Sequence, residues 1–266
     1  MQKGITQLVF GRDSSLEECL AFAKDAGYEV FEPAFRAEGP VSLHTGDAEI
    51  AQLMEWKEQY GLDYCTICGG AGAIPGATFT SENPEDRENA HQCFRKCLEI
   101  AGAIGAHSVL CVPGRVTEDM PYDVAMEHLY EELPKLAPVA EEHKVNLALE
   151  NVWNRMLLSP LETRDLIDHI NSPYVGVYFD TGNVVIYGYP EQWINILGWR
   201  IKAVHFKDFR RKGYEWLQLM DGDVDWPAVM AGLRNAGYDK SVVSEVGGDE
   251  EVLRETKRRM DEILQM

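Results

Sequence analysis

Leu147-Ala-Leu-Glu150, Val177-Tyr-Phe-Asp180, Ala203-Val-His205 and Val242-Val-Ser-Glu245 each end a short apolar run on a side chain able to ligate a hard metal. The four terminal residues are separated by 30, 25 and 40 positions, the spacing of strands with helices between them. Side chains so placed meet only where successive parallel strands finish. An active-site mouth is therefore expected at that end of a sheet.

Three carboxylates and one imidazole suit a divalent cation, because oxygen donors favour hard ions. Mn²⁺ is the first expectation, with Mg²⁺, Co²⁺ or Zn²⁺ as alternatives. None of the six cysteines lies in these segments. Taken singly, each ligand has a plainer reading: Glu150 as a cap or ion-pair partner, Asp180 as the head of an Asx turn, His205 as a satisfied core histidine. Taken together at matching strand ends, the four are better explained as one metal site.

Working outward, apolar runs bounded by Gly, Pro or Asn alternate with segments of helical period along the whole chain. Candidate strands are Thr6 to Phe10, Val30 to Pro33, Asp63 to Cys68, Ser108 to Val112, Asn146 to Glu150, Val175 to Asp180, Ala203 to Lys207 and Ser241 to Glu245. Helix starts are marked by Ser14 with Glu17 or Ser15 with Glu18, by Asn83-Pro84, and by Asp225-Trp-Pro227. Gly27, Gly61, Gly105 and Gly237 stand where helices should stop. Eight βα units in 266 residues, with no Pro/Ser-rich linker or composition shift, predict an α/β fold. The expectation is a single (β/α)₈ TIM barrel over residues 1–266, with its chemistry at the C-terminal strand ends.

Charge narrows the partners. Lys and Arg number 25 against 44 Asp and Glu, a formal charge of -19, which excludes a nucleic-acid partner that needs a basic face. No apolar run approaches the roughly 20 residues of a membrane span, and no secretory leader pattern opens the chain, so no membrane partner and a cytoplasmic location are expected. Cys65-Thr-Ile-Cys68, Cys93 and Cys97 read as buried free thiols. Gly69-Gly-Ala-Gly72 lacks the lysine of a P-loop and reads as a βα loop. Asp221-Gly-Asp-Val-Asp225 fails as a calcium loop, because its sixth and twelfth positions are Trp226 and Gly232.

The run from about Val145 to Gly247 resembles the xylose-isomerase-like superfamily of sugar isomerases and epimerases. The likeness rests on Ala148-Leu-Glu-Asn151, Phe179-Asp-Thr-Gly-Asn183, Val204-His-Phe-Lys-Asp208, Gly222-Asp-Val-Asp-Trp-Pro227 and Ser244-Glu-Val246. Within that superfamily the segments are most similar to ketose and ketose-phosphate 3-epimerases, including L-ribulose-5-phosphate 3-epimerase. The resemblance implies metal binding by Glu150, Asp180, His205 and Glu245, with Glu150 and Glu245 also the acid/base pair.

It further implies a small-molecule sugar or sugar phosphate as partner, in a chain compatible with a homo-oligomer. Trp153, Asn183, Lys207 and Arg211 are candidate substrate contacts, and one of Lys207, Arg210 and Arg211 is a candidate for holding a phosphate or distal hydroxyl. Free-ketose 3-epimerases commonly carry a glutamate and a histidine where this chain has Met156 and Asn183. The alternatives are an aldose-ketose or hydroxypyruvate-type isomerase, a keto-sugar lyase resembling inosose dehydratase, and a non-catalytic sugar-binding subunit. The endonuclease IV branch is disfavoured by the acidic charge.

Overall fold

A computed structural model describes residues 1–11, 13–69 and 74–266. Its parallel strands, in chain order, are Gln2–Thr6, Val30–Glu32, the pair Asp63–Tyr64 and Thr66–Ile67, Ser108–Cys111, Asn146–Glu150, Val175–Asp180, Ile201–Phe206 and Ser241–Ser244. We refer to them as the first to eighth strands, counting the interrupted pair as the third. Each strand pairs in parallel with its sequence neighbours, and the first also pairs with the eighth. Asp63–Tyr64 pairs with the second strand and Thr66–Ile67 with the fourth, so the sheet curls into a barrel that meets at Cys65.

The break has a packing cause. Cys65 packs with Val30 and Val243, while the next side chain, Thr66, bonds to Glu32 and Tyr178. Two consecutive residues thus point into the barrel, which a regular pleat does not allow. Cys65 and Cys68 consequently share the interior in separate clusters, and all six cysteines are free and buried.

The first strand lies earlier than the apolar run Leu8-Val9-Phe10 predicts. Gln2 to Ile5 pair with Ser241 to Ser244 and Gly4 to Thr6 with Val30 to Glu32. The Thr6 hydroxyl then accepts the Leu8 amide and turns Gln7–Val9 into a 3₁₀ turn that leaves Leu8 48% exposed. Gly4 is required here: a Cβ would stand 2.9 Å from Val30 Cγ2. Asn146–Glu150 and Val175–Asp180 are strands as read, and the remaining ones differ by one or two residues at their ends.

Helices follow the strands and cover the barrel from outside: Leu16–Asp25, Asp47–Tyr60, Pro84–Ile104, Tyr122–Glu132 with Ala137–His143, Pro160–Ile170, Pro190–Leu197, Trp226–Asn235 and Glu250–Ile263. The start signals act as read. Ser15 and Glu18 form the capping box, Asn83 caps a helix opened by Pro84, and Asp225 caps the one containing Pro227. Gly27, Gly61, Gly105 and Gly237 all take positive φ at helix ends. Among the described residues, no helix is long and apolar enough to cross a membrane. Gly70, Ala71 and Gly72 of the glycine-rich loop lie outside the described residues.

Strand alternation sorts the barrel. Leu147, Leu149, Val175, Val177, Phe179, Val204, Phe206 and Val242 join the large core cluster, whereas Ala148, Tyr178 and Ala203 form the small interior one. Because every second residue faces inward, Glu32, Glu150, Asp180, His205 and Glu245 fall on the interior side at or just past the C-terminal strand ends.

Candidate active site

The convergence expected from the sequence is present. One donor atom each from Glu150, Asp180, His205 and Glu245 lie within 4.8 Å of one another. Glu150, Asp180 and His205 are buried, and Glu245 retains slight exposure. His205 Nδ1 stands 3.4 Å from Glu150 Oε1 and 3.2 Å from Glu245 Oε2.

The orientation of His205 is set by groups the sequence reading did not single out. Its Nε2 is 2.9 Å from Glu32 Oε1, and Glu32 Oε2 accepts from Thr66 Oγ1 at 2.5 Å and Tyr178 OH at 2.6 Å. Glu32 is fully buried, and burial opposes its charge. The His205 imidazole and the two hydroxyls outweigh that and hold its carboxyl below the usual range. An ionised Glu32 holds the Nε2 proton, so that when a cation displaces the other ring proton it is the Nδ1 lone pair that faces the carboxylates. The signal was available: Val30-Phe31-Glu32 is another apolar run ending on a carboxylate.

Asp180 is fixed just as firmly. Its Oδ1 accepts the Asn183 amide at 2.6 Å, and its backbone N–H and C=O are gripped by Asn151 Oδ1 and Nδ2, each at 2.9 Å. Gly182 lets this turn lie against Lys207, since a Cβ would come 2.9 Å from the Lys207 carbonyl carbon. Asp180 Oδ2 and His205 Nδ1 are left without a hydrogen-bond partner although buried.

These orphaned atoms test the fit of a cation. Buried polar atoms are normally satisfied, and ligating distances of about 2.0 to 2.4 Å would span a donor set of this size. The three carboxylates repel one another, and a divalent ion replacing the bound protons removes that repulsion. The site fits a divalent cation held by Glu150, Asp180, His205 and Glu245.

Protons compete for the same place. Burial pushes Glu150 up to about 7, with Glu245 and Asp180 adding repulsion, although His205 opposes the shift. Burial likewise takes Asp180 up to about 6 despite the Lys207 ammonium. Burial also works against the Glu245 charge, but His205 and Lys207 bring it down to about 2. Burial would discharge His205, yet its carboxylate neighbours raise it well above the ordinary histidine range.

A pH dependence follows. Raised carboxylates favour the folded state below their unfolded values and lose that contribution as pH rises through about 6 and 7. His205 loses its contribution on the same side, and Glu245 is constant above its unfolded value. The metal-free protein should therefore melt at lower temperature at pH 8 than at pH 5.5, and the rise in Tm on adding Mn²⁺ should grow over that range as proton competition fades. Differential scanning calorimetry with chelator or with Mn²⁺ measures both; a pH-independent increment would contradict this account.

Lys207 Nζ lies 3.0 Å from Glu245 Oε2 and 3.9 Å from Asp180 Oδ2. It also sits over the Trp216 ring at 4.7 Å, at the edge of a cavity of about 790 Å³ that reaches Glu245. Trp153 stacks on Trp216 at 4.9 Å and donates its indole N–H to Asn183 O at 2.9 Å. Trp216 belongs to an antiparallel hairpin, Asp208–Arg210 with Glu215–Leu217. Buried Asp208 anchors it by accepting the Met220 amide and Trp226 Nε1, which accounts for the Asp-Trp-Pro segment structurally.

Asn183 is buried beneath Trp153. Arg211 lies farther out, donating to Gly188 O at 2.6 Å, stacked at 4.8 Å on Tyr189 and 3.8 Å from Asp223. Arg210 pairs with Glu215 and donates to Asp221 O. Met156 is core.

Fold and site define a (β/α)₈ barrel with a carboxylate and histidine cluster at its C-terminal mouth. The family model of the xylose isomerase-like TIM barrel matches residues 20–263, and the chain belongs to that family. An uncharacterized protein of Methanocaldococcus jannaschii is 24% identical over 247 residues, 90% of this chain and 81% of that one. L-ribulose-5-phosphate 3-epimerase of Salmonella paratyphi C is 23% identical over 239 residues, 83% of this chain and 78% of that one. A D-tagatose 3-epimerase-like protein superposes with a TM-score of 0.85 at 22% identity, covering 100% of this chain and 97% of that one. The IolI protein with a bound zinc atom superposes with a TM-score of 0.83 at 16% identity, covering 100% and 98%.

Proposed function

We propose that this chain is a divalent-metal-dependent sugar epimerase, a ketose or ketose-phosphate 3-epimerase working through a cis-enediolate. The observation that carries the reading is the pair Glu150 and Glu245. They come from the fifth and eighth strands, which are not neighbours, yet both approach His205 Nδ1. Carboxylates reaching one centre from separate strands can address opposite faces of a flat intermediate. The epimerase named among the relatives supports the same class.

Glu150, Asp180, His205 and Glu245 would hold the cation. When bound, it supplies Lewis-acid stabilisation of the negative charge that develops on the substrate's oxygens. One glutamate removes the proton from the carbon beside the carbonyl, and the other delivers a proton to the far face, inverting the centre. Lys207 adds a positive charge beside Glu245 and Asp180, and Asn183 and Trp153 form the wall against which the sugar is oriented. With only one working base the same site would perform aldose-ketose isomerisation instead.

Incubating Mn²⁺-loaded protein in D₂O with ketoses and ketose phosphates tests the reading. One deuterium should enter at C3 of the accepted substrate, together with its C3 epimer. Incorporation at C1 with an aldose product would assign the isomerase, and loss of water would assign a lyase. Absence of exchange with every sugar would overturn the proposal.

A further inference from the structure

The mouth of the barrel is electrically two-sided. Beyond Glu245, the large cavity is lined by Asp221, Asp249, Glu251 and Glu255, with Lys207 its sole lining cation among the described residues. The helix Glu250–Ile263 begins there, but Asp249 occupies its N-terminus by accepting the Val252 amide, with Glu250 and Glu251 in the first turn. In TIM barrels the loops after the last two strands, with a helix N-terminus, frequently bind phosphate. Here that position is filled by the chain's own carboxylates, which would repel one. Arg259 engages Asp221 and Glu255 at 2.8 Å each and has no charge to spare.

The opposite side differs. A pocket of about 390 Å³ is built from the loops that leave the fourth and fifth strands, the second of which begins at Glu150. Gly114, Arg115, Thr117, Trp153, Asn154 and Arg155 line it. No carboxylate is among the lining residues, and neither arginine is paired with one among the described residues. In a chain of formal charge -19, the two loops thus bring two cations to one pocket that no described carboxylate lines.

The frame that presents them is specific. Asn154 ties the loops together, its Nδ2 donating to Gly114 O at 2.8 Å and its carbonyl accepting the Val116 amide at 3.0 Å. Thr80 Oγ1 accepts the Arg115 amide at 3.2 Å. Gly114, at φ 155, has no room for a Cβ, which would fall 2.3 Å from Thr80 Oγ1. Arg155 is held at φ 65, a left-handed conformation costly for a side chain of its size.

We infer that Arg115 and Arg155 form an anion-binding site for the tail of the substrate, so that the sugar turned over carries a phosphate or carboxylate at the end remote from the reacting carbon. The inference rests on the sugar-epimerase reading for its substrate, but the anion site can be tested without it. Guanidinium groups bind both anions through paired N–H donors, and a pocket between two loops admits such a group beside Trp153. The acidic cavity across the Trp153–Trp216 stack would repel the same group, which fixes the direction in which a charged sugar enters.

Calorimetric titration of Mn²⁺-loaded protein with inorganic phosphate, and separately with acetate, tests the site directly. Because phosphate also binds metal ions, the reading is the difference between wild type and the R115Q/R155Q double variant. Both positions are exposed, so folding is retained, and circular dichroism checks it. Loss of each charge-assisted contact should weaken phosphate binding roughly tenfold, with partial recovery in Arg155→Lys. Equal affinity in wild type and double variant for both anions, or no binding by either, would overturn the site.

The D₂O assay then identifies the source of the charge. A ketose phosphate or a sugar acid should exchange with KM raised in each arginine variant and kcat little changed, while a neutral ketose should be a poor substrate equally for all. Efficient exchange of a neutral ketose, insensitive to both substitutions, would reject the anionic substrate while leaving the epimerase reading intact. Arginine-dependent phosphate binding with no exchange of any sugar would do the reverse.

Discussion

Glu150→Gln and Glu245→Gln, each measured at saturating Mn²⁺, should lower the rate of epimerisation by about 10² to 10⁴, the usual worth of a positioned acid or base. The two variants should also fail differently. The one that lacks the abstracting base loses both inversion and proton exchange with solvent. The other still washes deuterium into the substrate but returns the proton to the face it left. Comparing deuterium incorporation with epimer formation in the same tube therefore assigns the roles. Both residues are also proposed ligands, so metal content must be matched before rates are compared. Near-normal epimerisation by either metal-loaded variant would rule out two bases.

The contrast between those glutamates and the unread Glu32 shows what a sequence of this kind discloses. Short apolar runs that end on a carboxylate or histidine are visible because the fold repeats: buried strand, loop, helix, return. Glu150, Asp180, His205 and Glu245 were legible for that reason, and the structure brings their donors together. Glu32 ends a run of the same form, but its strand is only three residues long and one of its two partners is interrupted, so its signal was weak.

Thr66 and Tyr178 were illegible for a different reason. Their hydroxyls matter through contacts 34 and 146 residues away along the chain, which no local pattern encodes. The first strand was misplaced because an apolar run, Leu8-Val9-Phe10, lies beside a strand whose central residues are Lys3 and Gly4. There the neighbouring strands, not the hydropathy, decide which residues pair. Arg115 and Arg155 carry no motif at all; only the pairing of two loops sets them on one pocket.

Glu32→Gln should weaken divalent-cation binding by about 10- to 100-fold, the effect expected when the group orienting a ligating histidine is lost. Glu32 accepts three hydrogen bonds, from Thr66, Tyr178 and His205. An amide offers one acceptor oxygen and brings two N–H donors into a site already supplied with donors. His205 then no longer has a carboxylate to hold its proton on Nε2. The tautomer with hydrogen on Nδ1 becomes competitive, and that form presents N–H where the cation needs a lone pair. Tyr178→Phe removes one donor and leaves the carboxylate, so it should cost much less. Chelator competition for Mn²⁺ reads the affinity, and nitrogen NMR of the imidazole in the metal-free protein, followed to a pH at which the ring is neutral, reads the tautomer independently of activity. Unchanged affinity in Glu32→Gln, with His205 still protonated on Nε2, would mean that the three carboxylates alone orient the ring.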